Sequence, residues 1–252
     1  MSTTIAIAGK GGTGKTSISA LLANILSKKG IVLAIDGDPS SNLSIALGLP
    51  MECTVGRIRE DMSVSIQKST YDNSISKPDY LQLKVMECLV ESDRVDLLAM
   101  GRPEGPGCYC AANSMLRVAI DKIGENYDYV VIDCEAGMEH ISRQTTRDID
   151  VLILVSDSSV KGLITAAHMK DLISELRTNV GKICLVLNRV RPELQPEGKE
   201  IIDKAGLELI ATIPEDENMA EVEGKGLPLS NLPSNSSLYR GVQQIAQQLE
   251  LV

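Results

Sequence analysis

The chain has 252 residues, 43% of them apolar, enough to fill the core of one α/β unit or of two smaller domains. It contains no Phe or Trp, so that core must be built from Leu, Ile, Val and Ala. Its 34 acidic and 25 basic residues leave a net charge of −9; with only six Tyr and no basic run, this argues against a nucleic-acid partner.

Short, almost continuously apolar runs mark strands at 3–8, 31–36, 95–100, 127–133, 150–156, 182–188 and 207–213. Such runs suit strands buried on both faces. Helical patterns lie between most of them, at 15–29, 78–91, 111–124, 159–178 and 235–250. This alternation predicts an α/β fold: a single domain over 1–252, with a mostly parallel seven- or eight-stranded sheet and helices on both faces. Residues 51–77, polar and Ser-rich, read as an irregular surface segment. The last helix lines up Leu238, Val242, Ile245 and Leu249 on one face, with Gln and Glu opposite. That face packs on the core; a membrane-surface helix would carry a basic opposite face. No export pattern is visible and no apolar run reaches the ~20 residues that cross a bilayer. We therefore expect a cytoplasmic protein with no membrane partner. In that compartment thiols stay reduced, and the six cysteines read as metal, redox or packing residues before disulfides.

"GKGGTGKT", Gly9 to Thr16, follows the first strand and opens the first helix, matching G-x-x-x-x-G-K-[ST]. Gly9, Gly11, Gly12 and Gly14 let backbone N–H groups close around phosphate oxygens, and Thr13 and Ser17 complete the cradle. Lys15 is placed to reach the β- and γ-phosphates and Thr16 to ligate Mg²⁺. "VLAIDGDPSSNL" ends a strand with Asp36 and Asp38, and "YDYVVIDCEAG" ends another with Asp133. Either stretch alone reads equally as a strand-end cap; beside a phosphate loop they point to a Mg²⁺ site, held directly or through water. "LNRVRP" ends a further strand at Asn188. A guanine site would need an aspartate three residues later, where this chain has Arg191, so ATP is favoured over GTP.

"GPGCYC" places Cys108 and Cys110 after Gly105-Pro106-Gly107, outside any regular helix. Extended i and i+2 side chains point the same way, whereas helical ones diverge by about 200°. Both sulfurs can therefore face one soft ion, Zn²⁺ or Ni²⁺ among others, but two thiolates half-fill a tetrahedral shell. Two copies of the chain meeting at a twofold axis would supply four. Cys88 and Cys184 read as packing residues, and Cys53 precedes the irregular segment. Cys134, following Asp133, reads as packing or as a sensor of nucleotide state; His140 and His168 form no metal-binding spacing.

The "KGGTGKT" form resembles the phosphate loop of the MinD/ParA/nitrogenase-iron-protein family of dimeric ATPases. The resemblance implies that Lys10 crosses the dimer interface to the partner's nucleotide, a charge supplied in trans like an arginine finger, worth roughly 10³–10⁵ in rate. It also implies that Asp38 orients the attacking water. Asn188 with Arg189, and the turn at Pro214 and Glu215, would hold adenine. With "DGDPSSNL", "MGRPEGPGCYCAANSMLR" and "DCEAGMEHISR" in order, the chain resembles the CooC type of MinD-family ATPase. That type implies a homodimer formed on ATP or metal binding, with Cys108 and Cys110 from each copy holding Ni²⁺ or Zn²⁺. The client would be carbon monoxide dehydrogenase or acetyl-CoA synthase. Two rivals stay open. One is an electron-transfer protein like the nitrogenase iron protein, although residues 135–183 contain no cysteine for its second ligand. The other is a MinD/ParA-type spatial regulator.

Overall fold

The computed structural model describes residues 2–67, 75–101, 118–135, 148–175, 179–191 and 194–252. Seven strands form one sheet: β1 (Thr3–Gly9), β2 (Val32–Asp36), β3 (Val95–Ala99), β4 (Tyr129–Asp133), β5 (Asp148–Ser156), β6 (Asn179–Val190) and β7 (Glu208–Pro214). Their order is β3-β2-β4-β1-β5-β6-β7, and every pairing is parallel. The expected mostly parallel sheet of seven or eight strands is thus a wholly parallel one of seven among the described residues.

Side chains alternate across each strand, and here both faces are buried. Ile5 and Ile7 of β1 face one layer of helices, and Ala6 and Ala8 face the other. The first layer contains α1 (Lys15–Leu26), α2 (Asn42–Leu47), α7 (Glu217–Gly224) and α8 (Ser237–Gln248), contributing Ile18, Leu22, Leu43, Val222, Val242 and Ile245. The second contains α3 (Val55–Gln67), α4 (Lys77–Glu87), helical residues 118–124, α5 (Val160–Glu175) and α6 (Pro196–Lys204). Each fully buried Ile or Leu contributes about 1.5–3 kcal/mol, so a core without Phe or Trp is still well filled. The last helix turns its apolar face inward as its sequence implied: Val242, Ile245 and Ala246 are fully buried. Among the described residues no helix is long and apolar enough to cross a membrane.

Residues 51–77 depart from expectation. α3 runs through them, burying Val55, Ile58 and Met62 against the sheet while Arg57 and Asp61 face water. Three apolar positions at i, i+3 and i+7 were enough to seat a helix inside a polar, Ser-rich stretch. α2, α6 and α7 are also absent from the sequence reading; each has nine residues or fewer, too short for a clear period.

All seven strands run the same way, so their carboxyl ends share one edge of the sheet. Gly9, Asp36, Asp133 and Ser156 end β1, β2, β4 and β5 there. β1 lies where the order divides between β4 and β5, the switch point at which open α/β sheets form their binding crevice.

Candidate nucleotide-binding site

The loop from Gly9 to Gly14 is fixed by two close approaches. Gly9 has φ 152°, and a Cβ there would lie 2.1 Å from the Val155 carbonyl oxygen of β5. Gly14, φ 87°, precedes α1 and presses on Asn188, whose Nδ2 would lie 2.4 Å from an added Cβ. α1 has no side-chain cap and no acidic residue in its first turn, so the N–H groups at its start remain available to an anion. Lys15, the first residue of α1, is 7% exposed and donates to the Lys10 carbonyl at 3.3 Å. Thr13 Oγ1 donates to the same carbonyl at 2.9 Å.

Asp133 is buried at the end of β4, where its oxygens accept from Thr16 Oγ1 at 2.6 Å and Ser19 Oγ at 3.0 Å. Burial pushes its carboxyl up to about 6, against the pull of those hydroxyls and of Lys15. Asp36, fully buried at the end of β2, is pushed to about 7, first by burial and then by the charges of Asp133 and Asp38. The backbone N–H groups of Leu43 (2.9 Å) and Asp38 (3.0 Å) donate to its two oxygens, so Asp36 holds the 37–43 loop in place. In turn Asp38 Oδ1 accepts from the Ser40 backbone N–H at 2.8 Å and from the Ser40 hydroxyl.

The donor set suits Mg²⁺, which takes a hydroxyl and one or two carboxylates and completes its octahedron with phosphate oxygens and water. Two buried acids above their ordinary range are groups that a divalent cation would ionise. Among the described residues no three His, Cys, Asp or Glu side chains could hold a metal by themselves, so phosphate oxygens would have to complete the shell.

Two cavities flank Arg189. One, about 420 Å³, is lined by the phosphate loop, Asp38, Asn42 and the apolar side of α7. The other, about 590 Å³, is lined by Asn188, Arg189, Arg191 and the turn from Pro214 to Glu217. A bulge in β6 between Leu187 and Val190 carries Arg189 at φ 56° and aims this end of the strand at the loop. Asn188 Nδ2 donates to the Thr13 carbonyl at 2.8 Å, and Arg189 Nη1 donates to the Gly12 carbonyl at 3.2 Å. Asn188 therefore braces the phosphate loop and retains a second amide hydrogen and its carbonyl for a base. Arg191 grips both oxygens of Glu215, one of them at 2.7 Å, and its guanidinium holds the Glu215 carboxyl below the usual range. Glu215, one of the acidic residues that line this cavity, is thereby neutralised.

The sequence-derived residues Gly9 to Ser17, Asp36, Asp38, Asp133, Asn188, Arg189, Pro214 and Glu215 thus gather at one edge of the sheet. Lys10 lies 3.9 Å from Asp157, both side chains partly exposed. Cys108, Cys110 and His140 lie outside the described residues. Cys134 is buried, its thiol pushed up by burial and by the Asp133 charge, and it packs under the end of β4. Cys184 is core and His168 is exposed, as their sequence contexts implied. Cys88 is buried in the core, as its packing reading implied; its pairing with Cys53 corrects the expectation that the cysteines serve as metal, redox or packing residues before disulfides.

Sequence reasoning missed Ser19 and Asp157. Ser19 is a polar residue among the buried apolar positions of α1, one turn after Lys15. Asp157 is a carboxylate just past a strand end, the same signal that Asp36 and Asp133 gave.

The family model of the CobQ/CobB/MinD/ParA nucleotide-binding domain matches residues 4–229. An uncharacterized ATP-binding protein of Methanocaldococcus jannaschii is 45% identical over 97% of both chains. The carbon monoxide dehydrogenase accessory protein CooC of Rhodospirillum rubrum is 32% identical over 90% of this chain and 89% of its own. Among solved structures, the septum site-determining protein MinD of Pyrococcus horikoshii, complexed with Mg-ADP, superposes with a TM-score of 0.71. It is 21% identical, and the match covers 99% of this chain and 96% of that one.

Proposed function

The chain belongs to the CobQ/CobB/MinD/ParA nucleotide-binding family, and from that premise we propose that it is an ATP-hydrolysing, homodimeric metallochaperone. Its cargo is Ni²⁺ or Zn²⁺, held by Cys108 and Cys110 of two copies, and its client is carbon monoxide dehydrogenase or acetyl-CoA synthase. One observation carries this reading. β3, which leads into the stretch bearing both cysteines, leaves the sheet at the nucleotide edge, where the Met100 N–H donates to the Asp36 carbonyl at 2.8 Å. The segment that carries both cysteines thus begins beside the strand that ends in Asp36, which supports coupling between cargo and nucleotide. The 32% identity to CooC, named as an accessory protein of carbon monoxide dehydrogenase, supports the client.

In the proposed cycle the β- and γ-phosphates lie on the loop N–H groups and Lys15, with adenine between Asn188, Arg189 and the Pro214–Glu215 turn. Thr16, and through water Asp133 with Asp36 behind it, would hold Mg²⁺, which would supply neutralisation of phosphate charge. Asp38 orients a water for in-line attack on the γ-phosphorus, and Lys10 of the second copy stabilises the charge that develops. ADP and phosphate result; the 37–43 loop relaxes, and the cysteine cage opens toward the client.

The test measures bound nickel and solution mass with and without ATP. We expect one ion per two chains, lost in Cys108→Ser/Cys110→Ser. One ion per solitary chain would overturn the proposal. The MinD-like fold favours a second reading, a spatial regulator; such a protein would form its nucleotide-dependent dimer indifferently to the cysteine substitutions and to nickel.

A further inference from the structure

Among the described residues, the sheet's outer strand β3 has one strand neighbour, β2, and its backbone, continued through Met100, makes two further backbone attachments outside the ladder. On one side Val90 and Leu97 exchange antiparallel hydrogen bonds, each 2.9 Å. On the other, the Gly56 N–H donates to the Met100 carbonyl at 2.8 Å. Beside that bond Thr54 packs on Gly101 so closely that a Cβ there would lie 2.5 Å from its hydroxyl oxygen. The two attachments belong to segments 53–56 and 88–90, and these segments are joined to each other by Cys53 and Cys88.

Their Cα atoms are 5.1 Å apart, within the roughly 4.4–6.8 Å that a disulfide spans. Cys88 is buried in the core cluster that includes Val55, Ile58, Val85 and Leu98, whereas Cys53 is half-buried and accessible to a small reagent. Cys134 and Cys184, the other described cysteines, are buried and free.

We propose that Cys53 and Cys88 are a redox-exchangeable pair whose disulfide fastens both attachments of β3 and whose dithiol loosens them. The reaction partner is a low-molecular-weight disulfide. The Cys53 thiolate attacks one of its sulfurs, forming a mixed disulfide and releasing one thiolate. The Cys88 thiolate then attacks the Cys53 sulfur, the protein S–S bond forms, and the second thiolate leaves. The two protons from the cysteines end on the two released thiols; the protein loses two electrons and the small disulfide gains them. Because Met100 also bonds Asp36, the couple acts on the strand that borders the nucleotide edge.

The experiment equilibrates the full chain with oxidised or reduced glutathione, then alkylates it and maps its peptides without reduction. A Cys108→Ser/Cys110→Ser background removes competing pairings. We expect a linked 53–88 peptide under oxidised glutathione, reversed by dithiothreitol. The crosslink joins residues 35 positions apart, and its reduction should lower Tm by about 8–15 °C. Amide exchange at Gly56, Val90, Leu97 and Met100 should accelerate in the reduced form. Cys53→Ser/Cys88→Ser should show the reduced value in both buffers; should it fail to fold, the unsubstituted pair decides the matter. Both thiols remaining alkylatable after oxidised glutathione, or a crosslink that shifts neither Tm nor exchange, would overturn the proposal.

Discussion

Asp36 offers a direct test of how the site stores charge. Its carboxyl is raised from 3.8 to about 7, chiefly by burial and then by the charges of Asp133 and Asp38. Above 3.8 the unfolded chain has given up this proton while the folded chain still holds it, so raising pH favours unfolding. The stability contributed by the neutral acid is whole below the unfolded value and lost as pH rises through about 7. Between pH 5 and 7.5 this single group should remove about 2–3 kcal/mol from the nucleotide-free protein. Asp36→Asn keeps the shape but sets an amide N–H against one backbone donor, at a cost of about 1–3 kcal/mol that does not vary with pH. Urea unfolding of both proteins across that range separates the two effects. The variant should be the less stable at pH 5 and should recover about 2–3 kcal/mol relative to wild type by pH 7.5. Parallel pH profiles for the two proteins would refute the reasoning, whatever their absolute stabilities.

Gly14→Ala forces a left-handed backbone on a residue with a Cβ and pushes Asn188 off Thr13. It should lose about 2–5 kcal/mol in urea unfolding and nearly all nucleotide affinity. Thr16→Val removes the hydroxyl bound to Asp133 and should weaken ADP binding at least tenfold with Mg²⁺ present while leaving Mg²⁺-free binding almost unchanged, read by calorimetric titration. Lys15→Ala should abolish phosphate release from ATP; wild-type turnover in that variant would remove the phosphate loop from the mechanism. ATP should displace a fluorescent ADP analogue at concentrations at least tenfold below GTP, because Arg191 stands three residues after Asn188, where guanine recognition needs a carboxylate.

What the sequence disclosed is what lies close together along the chain. The phosphate loop, the D-x-D and the aspartate ending β4 are short contiguous patterns, each with its strand beside it, and the two-faced burial of a parallel sheet writes itself as unbroken apolar runs. What stayed hidden depends on partners far apart. Asn188 and Thr13 are 175 positions apart, and they meet because β6 ends at the same edge of the sheet as the phosphate loop. Arg191 could be read as the wrong residue for guanine, but its grip on Glu215 could not. Cys53 and Cys88 are 35 positions apart and meet because α3 and α4 pack on the same face, and α3 was concealed by its polar exterior.

The two lysines of the loop show why proximity in sequence does not mean equivalence in the site. Lys15 is buried at the start of α1, its ammonium turned onto the Lys10 carbonyl, where it can serve only a ligand cradled by its own chain. Five residues earlier, Lys10 is partly exposed and lies 3.9 Å from Asp157, a separation at which an ion pair in high dielectric contributes about 1 kcal/mol or less. A contact that weak holds Lys10 without committing it. Loss of Asp157 would therefore cost the fold little. The loop therefore divides its two charges by burial: one is fixed inward, and the other stays partly exposed at the surface.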